Sequence, residues 1–323
     1  MWVFSFSPKQ RLFLAKGTSV EDISLLKQAL PYIKQYRNKT FVIKFGGEVV
    51  SDTDRMNSLA EDISLLHELN IRVVIIHGGG PQATDLAEKL RIPSEKIEGK
   101  RVTDDDMLEV AKMVFAGKIS TDIISSLRHH GTPAIGLSGV DGDLILAVRR
   151  PLKKYVDATT GQEREVDFKN VGDIQAIRPQ ILRVLLENRF VPVVASLGAD
   201  DTGGVLNINA DTIAAEVAGA LPAEKLFLFS NVSGVLRDLQ DASSKYSYLT
   251  VDAAEDLIRA KAVSGGMVPK LTAAVQAVKK GVKRAYIING LEQNALLYEV
   301  FTVKGFGTMV IDKADEAEYL EQG

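Results

Sequence analysis

The sequence predicts an α/β protein whose sheet is mainly parallel. Two β-branched apolar runs, at residues 41–45 and 73–77, stop at glycine clusters, at 46–47 and 78–80. Short continuous apolar runs bounded by glycine are typical of buried parallel strands, which lack the alternation of a half-exposed sheet. From the first run to about residue 150, such runs alternate with helical patterns, and this alternation is the signature of βαβ units.

A helix is expected before the first strand, as an extension to this fold. Thr18 and Glu21 stand at the spacing of a capping box, and Pro31 should kink the helix or split it in two. The apolar residues that recur at helical intervals are Ile23, Leu26, Leu30 and Ile33. An apolar stripe of this kind packs on its own domain or is lent to another subunit, and periodicity alone leaves both open.

Strands and helices continue in alternation up to residue 128. The elements expected first are helix 52–69, strand 72–77 and helix 82–90. Thr103 should then cap a helix that runs to about residue 116, with three aspartates favourably placed in its first turn. Gly117 should interrupt this helix before a further helical stretch to Arg128.

Residues 151–173 break the rhythm, and we expect a β-hairpin there that faces solvent or covers a site. The elements expected next are helix 178–188, strand 191–196, a turn at 198–204 and a helix ending at Ala220. A second lobe should then comprise strand 225–230, helix 251–260, a glycine turn at 264–266, helix 270–280, strand 284–288, helix 291–300 and strand 307–312. The expected division is an extension (1–38), an N-terminal lobe (39–221) and a C-terminal lobe (222–323).

The overall composition excludes several classes of partner. The 323 residues are 46% hydrophobic and 25% charged, with a formal net charge of -3, so neither nucleic acid nor an anionic membrane is expected as a partner. The chain has no cysteine, which excludes disulfides, thiolate nucleophiles and cysteine–zinc sites. No apolar stretch approaches the roughly 20 residues of a membrane span. Lys9 and Arg11 follow the short apolar start, the wrong order for a secretory signal, so a cytoplasmic protein is expected.

Glycine and lysine residues together point to a phosphate site. Glycines at the carboxyl end of a buried strand let the backbone approach a ligand, and amide N–H groups before a helix bind anions. Lys44 lies inside the first apolar run, where an ammonium is costly unless an opposite charge meets it. Lys270 follows the glycine turn 264–266 at a helix start. Such a lysine is usually an exposed charge, but beside Lys44 and the glycine loops it suggests an anion site.

Two common nucleotide motifs do not explain this pattern. The P-loop pattern G-x-x-x-x-G-K-[ST] is absent. Gly78, Gly80 and Ala83 nearly fit a dinucleotide fingerprint, which would indicate an oxidoreductase. The acidic residue about 20 positions on should end a second strand, whereas residues 98–103 are typical of a loop that leads into a helix. The oxidoreductase is therefore a distant alternative.

Other polar residues allow both a structural and a functional interpretation. Asn207, Asn209 and Asp211 cluster at a helix start, where Asn209 would serve as the N-cap. Alternatively, Asp211 holds the lysines in place and Asn207 binds a substrate. Arg101 precedes a helix and could fork onto a carboxylate, although most loop arginines are solvated. Residues 138–142 form a further glycine turn that could be only a hairpin.

No residue stands out as a general base. The four histidines show neither metal-ligand spacing nor a nucleophile partner. An alcohol acceptor usually needs a base to take its proton, whereas a carboxylate acceptor is already ionised at neutral pH. Two lysines, backbone amides and a metal–nucleotide would therefore suffice for phosphoryl transfer to a carboxylate.

Taken in order, these segments resemble the amino acid kinase family over roughly residues 40–312. The matching segments are 43–47, 77–81, 100–103, 137–139, 207–211, 264–270 and 305–309. The resemblance implies a three-layer αβα sandwich around a mainly parallel sheet. It also implies phosphorylation of the side-chain carboxylate of N-acetyl-L-glutamate by ATP with Mg²⁺, in arginine biosynthesis. The N-terminal lobe would bind acetylglutamate and the C-terminal lobe would bind ATP.

The resemblance also implies roles for single residues. Lys44 and Lys270 would stabilise the transferring phosphoryl group, and Asp211 would orient both lysines. Gly46 and Gly47 would donate amides to phosphate. Acetylglutamate would be held by Gly78, Gly79, Arg101 and Asn207, with Arg101 on its α-carboxylate.

The chain departs from the family pattern at four places. Residues 48–50 are Glu-Val-Val where the family usually has Asn-Ala-Met, and Val140 replaces a common lysine. Asn231 stands where an aspartate is usual near the nucleotide. Residues 151–173 are longer than the lid-like hairpin that family members have at this position.

The N-terminal helix resembles that of arginine-sensitive family members, in which it interlaces dimers into a ring-like hexamer. This likeness implies a homohexamer, a trimer of dimers, or otherwise a homodimer, with arginine as a feedback inhibitor. The inhibitor site would draw on Tyr32, Lys225, Glu299 and Gly305, although Asn294 stands where such members often have histidine.

Two alternatives share the fold that the resemblance implies. One is the same chemistry on a related carboxylate, such as carrier-linked aminoadipate, although no basic cluster for an acidic carrier is evident. The other is a catalytically silent, arginine-sensing regulatory subunit, and the presence of Lys44, Asp211 and Lys270 together argues against it.

Overall fold

An eight-stranded sheet forms the middle layer of the molecule. The computed structural model describes residues 20–97, 99–156, 163–238, 240–241, 244–302 and 305–322. The strands of this sheet are β1 (Thr40–Phe45), β2 (Arg72–His77), β5 (Ala134–Ser138), β10 (Val191–Ala195), β13 (Lys225–Ser230), β14 (Tyr248–Thr250), β15 (Arg284–Asn289) and β16 (Thr308–Ile311). Their order is β14-β16-β15-β13-β1-β2-β10-β5, and every neighbouring pair is parallel except β15 with β16.

Smaller β structures lie outside this sheet. A four-stranded sheet has the order β12-β11-β6-β9 and consists of β6 (Ile145–Arg149), β9 (Gly172–Ile177), β11 (Leu197–Ala199) and β12 (Val205–Asn207). Two antiparallel pairs are formed by β3 (Lys96–Ile97) with β4 (Lys100–Arg101), and by β7 (Lys153–Val156) with β8 (Glu163–Val166). The second pair confirms the hairpin predicted within 151–173, and residues 157–162, between its two strands, lie outside the described residues.

Helices cover both faces of the main sheet. They are α1 (Val20–Tyr36), α2 (Gly47–Val50), α3 (Thr53–Glu68), α4 (Gly80–Leu90), α5 (Asp105–Lys112), α6 (Ser120–His129), α7 (Gln180–Glu187), α8 (Ala210–Ala220), α9 (Val251–Arg259), α10 (Met267–Lys279), α11 (Ala295–Phe301) and α12 (Glu316–Gln322). Among the described residues, no helix is both long and apolar enough to cross a membrane.

The central strands are buried on both faces, which explains their unbroken apolar runs. In β1, Phe41, Ile43 and Phe45 join a core with residues of α3, α4, α5 and α6, whereas Val42 joins a second core with residues of α8 and α10. Successive side chains of a strand point to opposite faces, so both sets must be apolar when both faces are covered. The three-layer αβα sandwich around a mainly parallel sheet is therefore confirmed.

The N-terminal helix is continuous and its end packs on its own chain. Pro31 lies inside α1 and does not split it in two, while the predicted cap at Thr18 lies outside the described residues. Tyr36, at the end of the helix, is buried and packs edge-on against Phe41 with ring centroids 5.3 Å apart. The last turn of α1 is therefore fixed on the core that follows it.

Two expectations around residues 103–117 were wrong. The N-cap of α5 is Asp104, whose carboxylate accepts a hydrogen bond from the Met107 amide at 3.0 Å, whereas Thr103 is fully buried. Gly117 does not end the helical conformation, because a π-helical segment, Met113–Ile119, joins α5 to α6 without a break. A π-helical turn adds a residue without ending the helix, and such turns are common at functional sites.

The proposed lobes share one sheet. Strand β13, which opens the 222–323 segment, pairs with β1 on one side and with β15 on the other. The division into lobes at 39–221 and 222–323 remains a prediction, since the sheet runs through it without a break.

A buried carboxyl on α3 should make stability depend on pH. Asp62 is buried, and burial followed by the nearby charge of Glu61 raises its pKa to about 7. Between about pH 4 and pH 7 the folded state then binds more protons than the unfolded state at this site, so this group lowers stability as pH rises and its penalty is complete above pH 7.

We expect Asp62→Asn to raise the free energy of unfolding at pH 8, by about 1–3 kcal/mol, and to have no such effect at pH 4. Urea unfolding at both pH values measures this difference. Glu68→Gln, a change of an exposed carboxylate at the end of the same helix, is the control. A gain that is equal at both pH values would show that the Asp62 charge is not the cause.

Candidate active site

A cavity of about 490 Å³ lies at the carboxyl ends of β1, β2 and β13. Its walls come from the two glycine loops, the segment after β13 and the segment that enters α10. The lining residues are Lys44, Gly46, Gly47, Glu48, Gly78, Gly79, Gly80, Pro81, Ser230, Asn231, Val232, Gly234, Leu236, Ala262, Val263, Ser264, Gly266, Met267 and Lys270. Segments far apart in the sequence therefore meet at one edge of the sheet, as parallel topology requires.

One carboxylate holds two lysines at this cavity. The Nζ atom of Lys44 lies 2.8 Å from Oδ1 of Asp211, and the Nζ atom of Lys270 lies 3.1 Å from the same oxygen. Lys44 faces the same side of β1 as Val42, two residues earlier, and α8 and α10 pack on that side. Asn209 is the N-cap of α8, with its side chain accepting from the Thr212 amide at 3.0 Å, and it thereby fixes Asp211 in the first turn.

Burial and mutual charge set the protonation of these three groups. Burial acts to lower the pKa of Lys44, but the adjacent Asp211 carboxylate more than offsets it, so the pKa is raised. Burial acts to raise the pKa of Asp211, but both lysines override it and the pKa is lowered. Burial and the charge of Lys44 lower the pKa of Lys270 to about 8, although Asp211 opposes them. At neutral pH the cluster therefore has one positive charge in excess, which favours an anion.

Each glycine loop has one position that packs closely against a neighbouring side chain. A Cβ atom on Gly47 would lie 2.1 Å from Oε1 of Gln82, and one on Gly79 would lie 2.2 Å from Cδ1 of Ile119 in the π-helical segment. Both contacts are far shorter than van der Waals distance. Glycine at these positions lets the first loop pack on α4 and the second loop pack on the π-helical segment.

Arg101 and Asn207 lie beside the cavity and do not line it. The Arg101 guanidinium donates to the carbonyl oxygen of Gly80 at 2.7 Å and to Oγ1 of Thr84 at 2.6 Å, and burial lowers its pKa. The Asn207 amide donates to Oγ1 of Thr103 at 3.1 Å. Thr103 follows Arg101 by two residues. Residues 101–103 therefore contact the second glycine loop through Arg101 and Asn207 through Thr103.

His77, at the end of β2, is the histidine nearest in sequence to the glycine loops. It is fully buried, and burial lowers its pKa to about 4, so the ring is neutral at pH 7. Its Nδ1 atom lies 3.3 Å from the carbonyl oxygen of Gly78, and the residue does not line the cavity. His77 therefore does not supply a base to this cavity.

The four residues expected to bind an inhibitor line a second cavity, of about 450 Å³. Its other walls come from α1, β15 and the segment before β16. The lining residues are Tyr32, Tyr36, Lys225, Ser247, Arg284, Tyr286, Glu299, Val300, Thr302, Gly305, Gly307, Met309 and Tyr319.

Aromatic rings and a carboxylate shape this second cavity. The Nζ atom of Lys225 lies 4.5 Å from the centre of the Tyr36 ring and 4.9 Å from that of Tyr286. Burial and then the charge of Arg284 lower the pKa of Lys225 to about 7. The Glu299 carboxylate accepts hydrogen bonds from the amides of Phe306 at 2.9 Å and Gly307 at 3.1 Å. The cavity thus presents both signs of charge to a ligand.

Two long-range contacts beside the cavity were not predicted from the sequence. Thr103 bonds to Asn207, 104 residues away, and Gln82 bonds to Gly47, 35 residues away. Neither contact follows from a local pattern. Residues 138–142 form a tight turn, in which the Asp141 carboxylate accepts from the Ser138 amide at 2.6 Å, and they do not form a hairpin.

Comparison with known families places the fold. The model of the amino acid kinase family matches residues 39–289. The chain belongs to the amino acid kinase family. Acetylglutamate kinase of Methanothermobacter thermautotrophicus is 41% identical over 293 residues, which are 91% of this chain and 100% of that protein. Acetylglutamate kinase of Methanosarcina barkeri is 42% identical over 308 residues, 95% of each chain.

A solved structure shows the same architecture in part of a longer protein. N-acetylglutamate synthase of Neisseria gonorrhoeae, complexed with coenzyme A and N-acetyl-glutamate, aligns with a TM-score of 0.76 and 28% identity. The alignment covers 92% of this chain and 64% of the synthase, so the chain spans less than two thirds of that protein. Carbamate kinase of Giardia aligns with a TM-score of 0.61 at 15% identity over 85% of this chain, a likeness of fold alone.

The two lysines of this family member should act mainly in the transition state. Lys44→Ala removes an ammonium that the structure holds at the cavity. We expect kcat to fall by about 10²–10³-fold, by analogy with the loss of one oxyanion donor. Steady-state kinetics with a coupled ADP assay measures this change.

Lys39→Ala is the matched control, since Lys39 precedes the same strand, is exposed and pairs with Glu224 on the surface. Its kcat should equal that of the wild type. A kcat for Lys44→Ala within a few-fold of the wild type would contradict the assignment.

Proposed function

We propose that this chain is an acetylglutamate kinase, which transfers the γ-phosphoryl group of ATP to the side-chain carboxylate of N-acetyl-L-glutamate in arginine biosynthesis. The observation that carries the proposal is the Lys44–Asp211–Lys270 cluster between two glycine loops. The acetylglutamate kinases that are 41–42% identical over about nine tenths of the chain support the choice of substrate.

The residues of the cavity can perform this transfer without a general base. The acceptor carboxylate is already ionised, so its oxygen attacks the γ-phosphorus while the bond to the bridging oxygen of ADP breaks. Lys44 and Lys270 stabilise the negative charge on the transferring group, with Lys270 nearer the nucleotide. Gly46 and Gly47 donate backbone amides to phosphate, and Asp211 keeps both ammoniums in place.

Substrate recognition is assigned to the second glycine loop and its neighbours. Gly78 and Gly79 offer backbone groups, and Asn207 and Arg101 flank them. The hydrogen bonds of Arg101 to Ser94, Gly80 and Thr84 use three of its five N–H groups, so the guanidinium retains donors for the α-carboxylate. The lobe at 39–221 would then bind acetylglutamate, and the lobe at 222–323 would bind ATP.

The residues of the site fit a magnesium ion that the nucleotide carries. The described residues contain no group of three or more histidine, aspartate or glutamate side chains placed to hold a metal. Mg²⁺ typically keeps several waters and binds through one or two carboxylates and the substrate phosphates. Glu48 lines the cavity and is exposed, so it is the carboxylate that would contribute. The ion would neutralise charge on the β- and γ-phosphates.

A direct assay separates this proposal from its alternatives. ADP release should be measured with acetylglutamate, glutamate, aminoadipate and aspartate as acceptors. Activity with acetylglutamate alone is expected. Activity only with aminoadipate would favour a kinase that acts on that related carboxylate, and no ADP release with any acceptor would favour a silent regulatory subunit.

Arg101 should contribute to substrate binding and little to kcat. It would bind the α-carboxylate equally in the ground and transition states, and such uniform binding appears in KM. Arg101→Lys keeps the charge and loses the planar fork. We expect KM for acetylglutamate to rise about tenfold while KM for ATP stays nearly unchanged.

Arg72→Lys, at the exposed start of β2, is the control for this substitution and should leave both KM values unchanged. Equal increases in both KM values for Arg101→Lys would mean that Arg101 only holds Gly80 and Thr84 in place.

We further propose that arginine inhibits the enzyme by binding in the second cavity. The Glu299 carboxylate suits a guanidinium, and Tyr32 and Tyr36 from α1 form part of the wall. The N-terminal helix would link three dimers into a hexamer by exchange across two-fold axes. Inhibition then requires that arginine bind the open form of the lobes more tightly than the closed form.

Deletion of residues 1–37 should leave an active dimer that ignores arginine, because the deletion removes both the exchanged helix and the tyrosine wall. Light scattering gives the mass, and activity across an arginine titration gives the inhibition. A full-length dimer, or a truncated hexamer that arginine still inhibits, would contradict the proposal. Glu299→Gln keeps the whole chain, so it should remain a hexamer and lose arginine inhibition, which separates the cavity from the assembly.

A further inference from the structure

Gln82 joins the two glycine loops of the active site. It is the third residue of α4, directly after the second loop, and its Nε2 atom donates to the carbonyl oxygen of Gly47 at 2.8 Å. Gly47 is the first residue of α2, in the first loop. The same carbonyl accepts the Ser51 amide at 2.9 Å, so both of its lone pairs are used.

This carbonyl sets the direction of one amide at the cavity. The Gly47 carbonyl and the Glu48 N–H belong to one planar trans peptide, in which the two groups point in opposite directions. The first N–H groups of a helix have no partner within it. Residues 46–48 line the cavity, whereas Val50, at the far end of α2, lines a different one. Gln82 therefore holds the Gly47 carbonyl on the side of the peptide opposite to the Glu48 N–H.

The hydrogen bond from Gln82 to Gly47 forms although the other polar atom of the Gln82 side chain is left buried without a partner. Oε1 of Gln82 is buried and has no hydrogen-bond partner among the described residues. A Cβ atom on Gly47 would lie only 2.1 Å from this Oε1 atom. An unpaired buried carbonyl is unfavourable, so the gain at this position lies in the bond that Nε2 makes to Gly47.

We propose that Gln82 is a positioning residue for phosphoryl transfer. It holds the Gly47–Glu48 peptide so that the Glu48 amide joins those of Gly46 and Gly47 in stabilising the transferring phosphoryl group. This inference rests on the proposed function. Gln82 itself does not line the cavity and acts through the Gly47 carbonyl. An amide fixed before the reaction stabilises charge as it develops, so the contribution belongs to the transition state.

Kinetics of two variants separate the hydrogen bond from the packing. Gln82→Met keeps the length of the side chain, and Gln82→Glu keeps its shape, but neither donates to Gly47 at neutral pH. We expect both to lower kcat by about tenfold, with KM for ATP and for the acceptor within about twofold of the wild type. Gln276→Met, at an exposed position on α10, is the control and should leave kcat unchanged.

Calorimetry distinguishes a positioning role from a purely structural one, because only a positioning role weakens the binding of a transition-state mimic selectively. Gln82→Met should bind ADP alone as tightly as the wild type, and should bind ADP with aluminium fluoride and acceptor about tenfold more weakly, since that complex mimics the transferring group. A wild-type kcat, or equal weakening of both complexes together with a lower Tm, would overturn the inference. Both experiments use whichever acceptor the wild type phosphorylates. If the wild type does not phosphorylate acetylglutamate, the proposed function is contradicted. The wild type and the Gln82 variants can still be compared with the acceptor that is phosphorylated.

Discussion

The arrangement of this molecule depends on one buried carboxylate that holds two ammonium groups. Lys44 would be costly inside a strand with both faces covered, and Lys270 would oppose the dipole of α10, if Asp211 did not meet both. The carboxylate belongs to α8, which packs on the same side of the sheet as α10. The αβα layers therefore do more than bury apolar surface, because they bring three helix and strand ends to one point.

The cluster is electrostatically complete only with an anion present. Two ammoniums and one carboxylate leave one positive charge in excess, and burial followed by the charge of Lys44 lowers the pKa of Lys270 to about 8. A phosphoryl group would supply the missing charge, and backbone amides of the glycine loops would supply hydrogen bonds around it, as the proposed function requires. At residues 47 and 79 a Cβ atom would overlap Gln82 or Ile119, so glycine there lets the two loops pack on α4 and on the π-helical segment.

The sequence predicted what depends on local pattern and missed what depends on distant contacts. Strands β2 and β13 were placed to the residue, because continuous apolar runs need no partner to be recognised. The cap at Thr103 was wrong, since Asp104 offers an equally good side chain and Thr103 is buried beside Asn207. The three-residue strand β14 and the short helix α12 were missed, because neither is long enough to show a period. The contact between Gln82 and Gly47 has no local signature, so only the structure reveals it.

The two cavities lie at opposite ends of one strand, which connects the proposed inhibitor site physically to the first cavity. Strand β13 begins at Lys225 in the second cavity and ends at Ser230 in the first. A second connection runs through β16: Glu299 binds the Gly307 amide, and Oγ1 of the adjacent Thr308 accepts the Val235 amide at 2.9 Å. Val235 lies between Gly234 and Leu236, which both line the first cavity. A ligand that binds Glu299 would therefore contact a chain of hydrogen bonds that leads to the first cavity. It would inhibit only if it bound one conformation of this chain of hydrogen bonds more tightly than the other.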